Sequence, residues 1–285
     1  MRRTIAEGLD HPECVTWDPR GFILAGGEAG QLYRVDVSDG SHEVIAETKG
    51  WILGIALDKD ANAYLCDPTN RCVYKAMSDG NLVKLSEGTA GLKMTNPNYP
   101  VFDAQGNLYV SDSGEWGGTS GRIYRITPSG ETQLWSEATP HFTNGLALDS
   151  TGSYLYVVES TLPGISRVPI LQNGTAGIPE LVVEMSMTVP DGIAFDASGT
   201  LYIGCYRPDR IYTFDATNGL KIFAEDFQGT AIGAPTNIAF GGEDLRTLFI
   251  ASLARWHIGA IEVDVPGQPL HRPVDLVSAR IRGTQ

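Results

Sequence analysis

The 285-residue chain carries 33 glycines and 42% hydrophobic residues, so it has the apolar mass for a large core and the composition of a chain that turns often. Its formal net charge of −13 excludes nucleic acid and anionic membrane surfaces as partners, because both demand basic patches. No apolar run approaches the ~20 residues needed to cross a bilayer, and no apolar stretch follows the basic residues of Met1–Gly8, so a cytoplasmic protein without a signal peptide is expected.

The chain opens on Thr4-Ile5-Ala6-Glu7, a β-like segment similar to the later Leu181-Val182-Val183-Glu184. A motif then recurs six times: Glu13-Cys14-Val15-Thr16-Trp17-Asp18, Leu53–Asp58, Asn98–Asp103, Asn144–Asp149, Asp191–Asp196 and Thr236–Gly241. Its last residues fall at 18, 58, 103, 149, 196 and 241, in steps of 40, 45, 46, 47 and 45. A period of about 45 residues is that of a four-stranded propeller blade. Each unit continues with a turn closed by glycine (Gly21, Gly106, Gly152, Gly199) and with β-branched and aromatic runs such as Asn107–Val110 and Gly121–Ile126, which lack helical periodicity. The expected fold is all-β, a six-bladed β-propeller with four-stranded blades that fills residues 1–285 as a single domain. Thr4–Glu7 should complete the last blade and remove an open edge. Within the motif the fifth position is large and the fourth is mostly alanine, as wedge packing between blades requires. Cys14, Cys66, Cys72 and Cys205 show no ligand spacing and are expected as reduced, buried thiols.

The first position of the motif is the informative one. The innermost strand of each blade begins beside the channel, so equivalent positions form a ring: Glu13, Leu53, Asn98, Asn144, Asp191 and Thr236. Two buried carboxylates near one axis are costly unless a positive charge sits between them. An all-oxygen set of Glu, Asn, Asn and Asp suits a hard divalent cation.

At these residues the sequence resembles the SMP-30/gluconolactonase/LRE family, and the likeness runs over essentially the whole chain. The strongest segments are Asn144–Asp149, Pro190–Asp196 with Gly199 and Cys205-Tyr206, and Asn237–Gly242; Pro12–Asp18 is similar to the family's first-blade motif. The resemblance implies a metal-dependent lactonase whose divalent ion is held by Glu13, Asn144 and Asp191, with Asn98 facing metal or substrate. Calcium is the favoured ion, with Zn, Mg, Mn or Fe also compatible. Sugar-lactonase members carry an Arg and an Asp where this chain has Asn96 and Tyr99, so gluconolactone should fit poorly.

Asp191, with Glu13 as the other carboxylate, is the candidate general base. Substrate contacts are expected from Asn98, Asn96, Tyr99, His141, Glu115, Trp116, Tyr206, Trp51 and Trp256. The partner is a small lactone, and the protein a monomer or weak homo-oligomer. The alternatives are a phosphotriesterase- or paraoxonase-like hydrolase on the same site, a non-catalytic binding propeller, and a strictosidine-synthase-like enzyme.

Overall fold

The computed structural model describes residues 2–274. Six four-stranded antiparallel sheets stand around a central axis, and blades 1 to 5 follow one another along the chain. Their innermost strands, with that of blade 6, are Cys14–Asp18, Gly54–Leu57, Pro97–Phe102, Thr143–Leu148, Val189–Phe195 and Pro235–Gly241. Blade 6 takes its outermost strand from the N-terminus: Arg2–Glu7 pairs antiparallel with His257–Glu262, Arg2 opposite Ile261 and Glu7 opposite His257. The ring thus closes as the Thr4–Glu7 likeness indicated.

The repeat residues explain the architecture locally. In blades 1 to 5 the aspartate at the end of the inner strand accepts backbone N–H groups of the turn below it, as in Asn62 to Asp58 at 2.9 Å, Asn107 to Asp103 at 2.8 Å and Thr200 to Asp196 at 3.0 Å. Gly106 and Gly199 close such turns at φ 83° and 87°, a conformation that costs glycine nothing. The large fifth residue crosses to an aromatic of the preceding blade. Trp17 stacks on Phe249 at 5.8 Å, Phe102 meets Tyr64 at 4.9 Å, and Phe195 and Phe240 meet Tyr156 and Tyr202 at 4.9 and 5.1 Å. Such pairs contribute about 0.5–1.5 kcal/mol each beyond their burial. Inner strands are accordingly buried along their length, whereas outer strands such as Glu180–Glu184 are half exposed. All four cysteines are buried and free.

One element lies outside the repeats. After the last strand, residues 264–274 run across the lower face and touch five blades. The Gln268 side chain donates to the Leu148 carbonyl and its N–H to that of Phe195; Gly267 N–H reaches Leu245, the Arg272 guanidinium reaches Trp17, and Pro273 accepts from Lys59. This strap covers a small apolar chamber of about 70 Å³ in the lower channel.

Candidate metal centre and substrate mouth

The upper end of the channel opens into a cavity of about 570 Å³, within the usual range for small-molecule sites. Its floor is the ring itself: Glu13, Leu53, Asn98, Asn144 and Asp191 all line it. Thr236 is buried beside them and donates to the Glu13 carbonyl at 2.8 Å. In blades 3 to 6 the pairing of the two inner strands slips at the ring position, between Pro97 and Pro100, Thr143 and Leu146, Pro190 and Ile193, and Pro235 and Ile238. A bulge of this kind re-aims a side chain, here at the mouth of the channel.

The two asparagines are fixed by a shared device. Asn98 Nδ2 donates to Ser113 Oγ at 3.1 Å, and that hydroxyl donates to the Thr143 carbonyl of the next blade at 2.8 Å. Asn144 Nδ2 donates to Ser160 Oγ at 3.2 Å, which donates to the Pro190 carbonyl at 2.7 Å. With each Nδ2 engaged by a serine, the Oδ1 atoms are left as acceptors. Glycines bring the blades together at this level: a Cβ on Gly145 would stand 2.4 Å from the Asp191 carbonyl oxygen.

The carboxylates are electrostatically frustrated. Burial pushes the Glu13 carboxyl up to about 7; Thr236 opposes this by hydrogen bonding, and the charge of Glu28 adds to it. Burial, then the charge of Glu13, raises Asp191 well above the ordinary carboxylate range, against hydrogen bonding from Asn144. Glu13 Oε2 is buried with no hydrogen-bond partner. An orphaned carboxylate oxygen, a second carboxylate that feels its charge and two amide oxygens form a donor set that fits a hard divalent cation.

The structure distributes the other expected contact residues unevenly. Trp51, Asn96, Trp116 and Tyr206 line the cavity. Glu115, His141 and Trp256 do not; Glu115 is exposed, the His141 N–H faces Glu159 at 3.3 Å, and the Trp256 ring lies 4.1 Å from that of His11. Tyr99 departs furthest from expectation. It lines the lower chamber, and its hydroxyl hydrogen-bonds the side chain of Asn237. Because it follows Asn98 within the bulge, it points down the channel, and blades 3 and 6 being opposite, its side chain crosses the axis beneath the ring.

Pro68, Thr69, Phe142, Val189 and Leu253, none of them marked by the repeat, also line the mouth. They come from loops and strand ends that share no repeat signal. The repeat does not mark His11 either, whose Nδ1 lies 3.1 Å from Asp10 Oδ1 and 2.8 Å from Glu28 Oε2. Its place two residues before Glu13 was the available signal.

Fold and ring together define the class: a six-bladed propeller with an oxygen-donor centre at one end of its channel. Residues 11–254 match the SMP-30/gluconolactonase/LRE-like region model, and the chain belongs to that family of lactone-hydrolysing enzymes. A 6-deoxy-6-sulfogluconolactonase of Pseudomonas putida is 27% identical over 90% of this chain and 92% of its own length. In fold the chain is similar to a gluconolactonase of Xanthomonas campestris (TM-score 0.79, 18% identity, 94% and 89% covered). It is equally similar to a calcium-binding regucalcin of Agrobacterium tumefaciens (TM-score 0.79, 18% identity, 96% and 97% covered).

Proposed function

We propose that this protein hydrolyses lactones at the upper mouth, using one divalent cation held by Glu13, Asn144 and Asp191 with Asn98 within reach. The observation that carries the reading is the buried, unpartnered Glu13 carboxylate oxygen beside Asp191, with amide oxygens from two further blades. The resemblance to a sulfogluconolactonase supports the reaction class. The all-oxygen donor set favours calcium, as does the fold's likeness to a calcium-binding regucalcin. Bound there, the cation supplies the Lewis acidity that polarises an ester carbonyl.

The chain's own groups do the rest. Asp191 accepts a proton from a water as its oxygen attacks the carbonyl carbon. When the ring C–O bond breaks, the same carboxyl returns the proton to the departing alkoxide, leaving a hydroxy acid. Trp51, Trp116 and Phe142 wall the floor against bulk solvent, which strengthens every charge interaction inside.

Chelation followed by reloading with calcium tests the reading. Stripping the ion should lower the melting temperature by roughly 5 °C or more, as expected for a ligand at about 100-fold its dissociation constant, and should abolish lactone opening. In the reloaded protein, Asp191→Asn keeps one ligand oxygen and should reduce turnover by a factor on the order of 10². A chelator that changes neither melting nor hydrolysis removes the metal from the account, and full activity in Asp191→Asn leaves Glu13 as the base. A phosphotriester in the same assay tests the rival chemistry.

A further inference from the structure

Resting on the lactonase reading, we infer that the substrate is a lactone bearing an apolar side chain, and that the wall above the ring binds that side chain. Four of the six polar residues lining the mouth belong to the oxygen ring, which leaves Thr69 and Asn96 above it, with the Tyr206 hydroxyl and the indole N–H groups of Trp51 and Trp116. The Asn96 amide nitrogen is already directed to the Gly114 carbonyl at 3.3 Å. Against these stand Trp51, Pro68, Trp116, Phe142, Val189 and Leu253. A polyhydroxylated ring entering this space would exchange water for carbon at most of its hydroxyls, an uncompensated loss of hydrogen bonds.

Three features give the wall the character of a built subsite. Leu53 fills the ring position of blade 2, so the apolar surface continues to the floor in one sector, between the oxygen donors of blades 1 and 3. Trp116 is 61% exposed yet packs edge-on against Phe142, ring centroids 4.8 Å apart. Phe142 holds a left-handed backbone, φ 56°, which is uncommon for an aromatic residue and which clusters at ligand clamps. Among the described residues no Arg, Lys or His lines the mouth. Arg207, stacked on Tyr206, is engaged by Asp209 at 2.9 Å and by the Tyr206 carbonyl at 2.8 Å. An anionic substituent on the side chain would therefore find no cationic side chain along the wall.

The experiment is a series of γ-lactones with alkyl side chains lengthened one methylene at a time, alongside glucono-δ-lactone, on the calcium-loaded protein. kcat/KM should rise about fourfold per methylene until the wall is covered, and each alkyl lactone beyond the shortest should exceed the sugar lactone. Trp116→Ala, at an exposed position, should flatten the dependence on chain length. Binding of the matching alkyl γ-lactams, followed by tryptophan fluorescence, should tighten with chain length in parallel. A flat series, a sugar lactone as the fastest substrate, or an unaltered slope in Trp116→Ala overturns the inference. If no lactone is opened at all, the lactonase reading falls, and the lactam series alone decides the apolar subsite: tightening supports it and indifference overturns it.

Discussion

Glu13 and Asp191 each sit where a carboxyl group would rather be protonated, and the donor set around them holds no cationic side chain among the described residues. On the proposed metal reading, a proton and a divalent ion compete for the same oxygens. Because the carboxyls are raised, the ion-free protein carries protons there at neutral pH, and an incoming ion must displace them. Calcium affinity should weaken as pH falls through about 7, the value to which burial pushes Glu13. Titration calorimetry in buffers of differing ionisation heat should show more proton release near neutrality than at pH 9, the difference being the proton of Glu13. Equal proton release at both pH values would mean that Glu13 is not the ligand. These two residues could be read from the sequence because the repeat fixes the position of each while leaving its identity free. Tyr99 could not, since a bulge of one residue sends adjacent side chains to different ends of the channel, and nothing in the residue string marks where a ladder slips.

At the scale of the strand, the ring depends on how closely neighbouring blades approach. Gly145 follows Asn144, and the space its Cβ would need is held by the Asp191 carbonyl oxygen and the Gly192 Cα, at 2.4 and 2.9 Å. Both obstacles are backbone, which cannot step aside. Gly145→Ala should push the fifth blade's ring residue away from the fourth's. We expect calcium affinity to fall at least tenfold, with a stability loss of about 1–3 kcal/mol, the usual cost of overpacking. Isothermal titration and thermal melts would check both, and native affinity in the alanine variant would show that the blades are free to part. The inner strands and their turns were legible because one packing problem is solved six times and leaves six copies of its answer. The mouth was legible only in part. Its loops solve no shared problem, so Phe142, Val189 and Leu253 carry no pattern to be found.

For the molecule as a whole, the bond between first and last strands decides whether six sheets make one ring. Arg2–Glu7 covers the outer edge of blade 6, and the register is interrupted between Thr4 and Ala6. Deleting residues 2–7 should leave the oxygen ring chemically intact but expose the backbone of His257–Glu262 as an unpaired edge. The truncated protein should melt at least 10 °C lower and associate with itself, as scanning calorimetry and light scattering would report; unchanged melting would assign closure to the strap. The closing strand was readable from its likeness to Leu181–Glu184. The strap was not, because residues 264–274 follow no repeat and carry no alternation. They are held by their carbonyl and side-chain partners on five blades.

Tyr99 gives the propeller a property that its outline conceals. A tube through the centre of six blades suggests traffic from face to face, yet the phenol of blade 3 is bolted to Asn237 of blade 6 beneath the donor ring, and the space below it holds only about 70 Å³ under the strap. Phenol and strap together narrow the passage at its lower end. On the proposed reading, lactone and hydroxy acid use the same upper mouth, and the product leaves past the aromatic residues that admitted the lactone. Opening the ring exchanges a neutral ester for an anion, which gains nothing from an apolar wall and is better hydrated outside it.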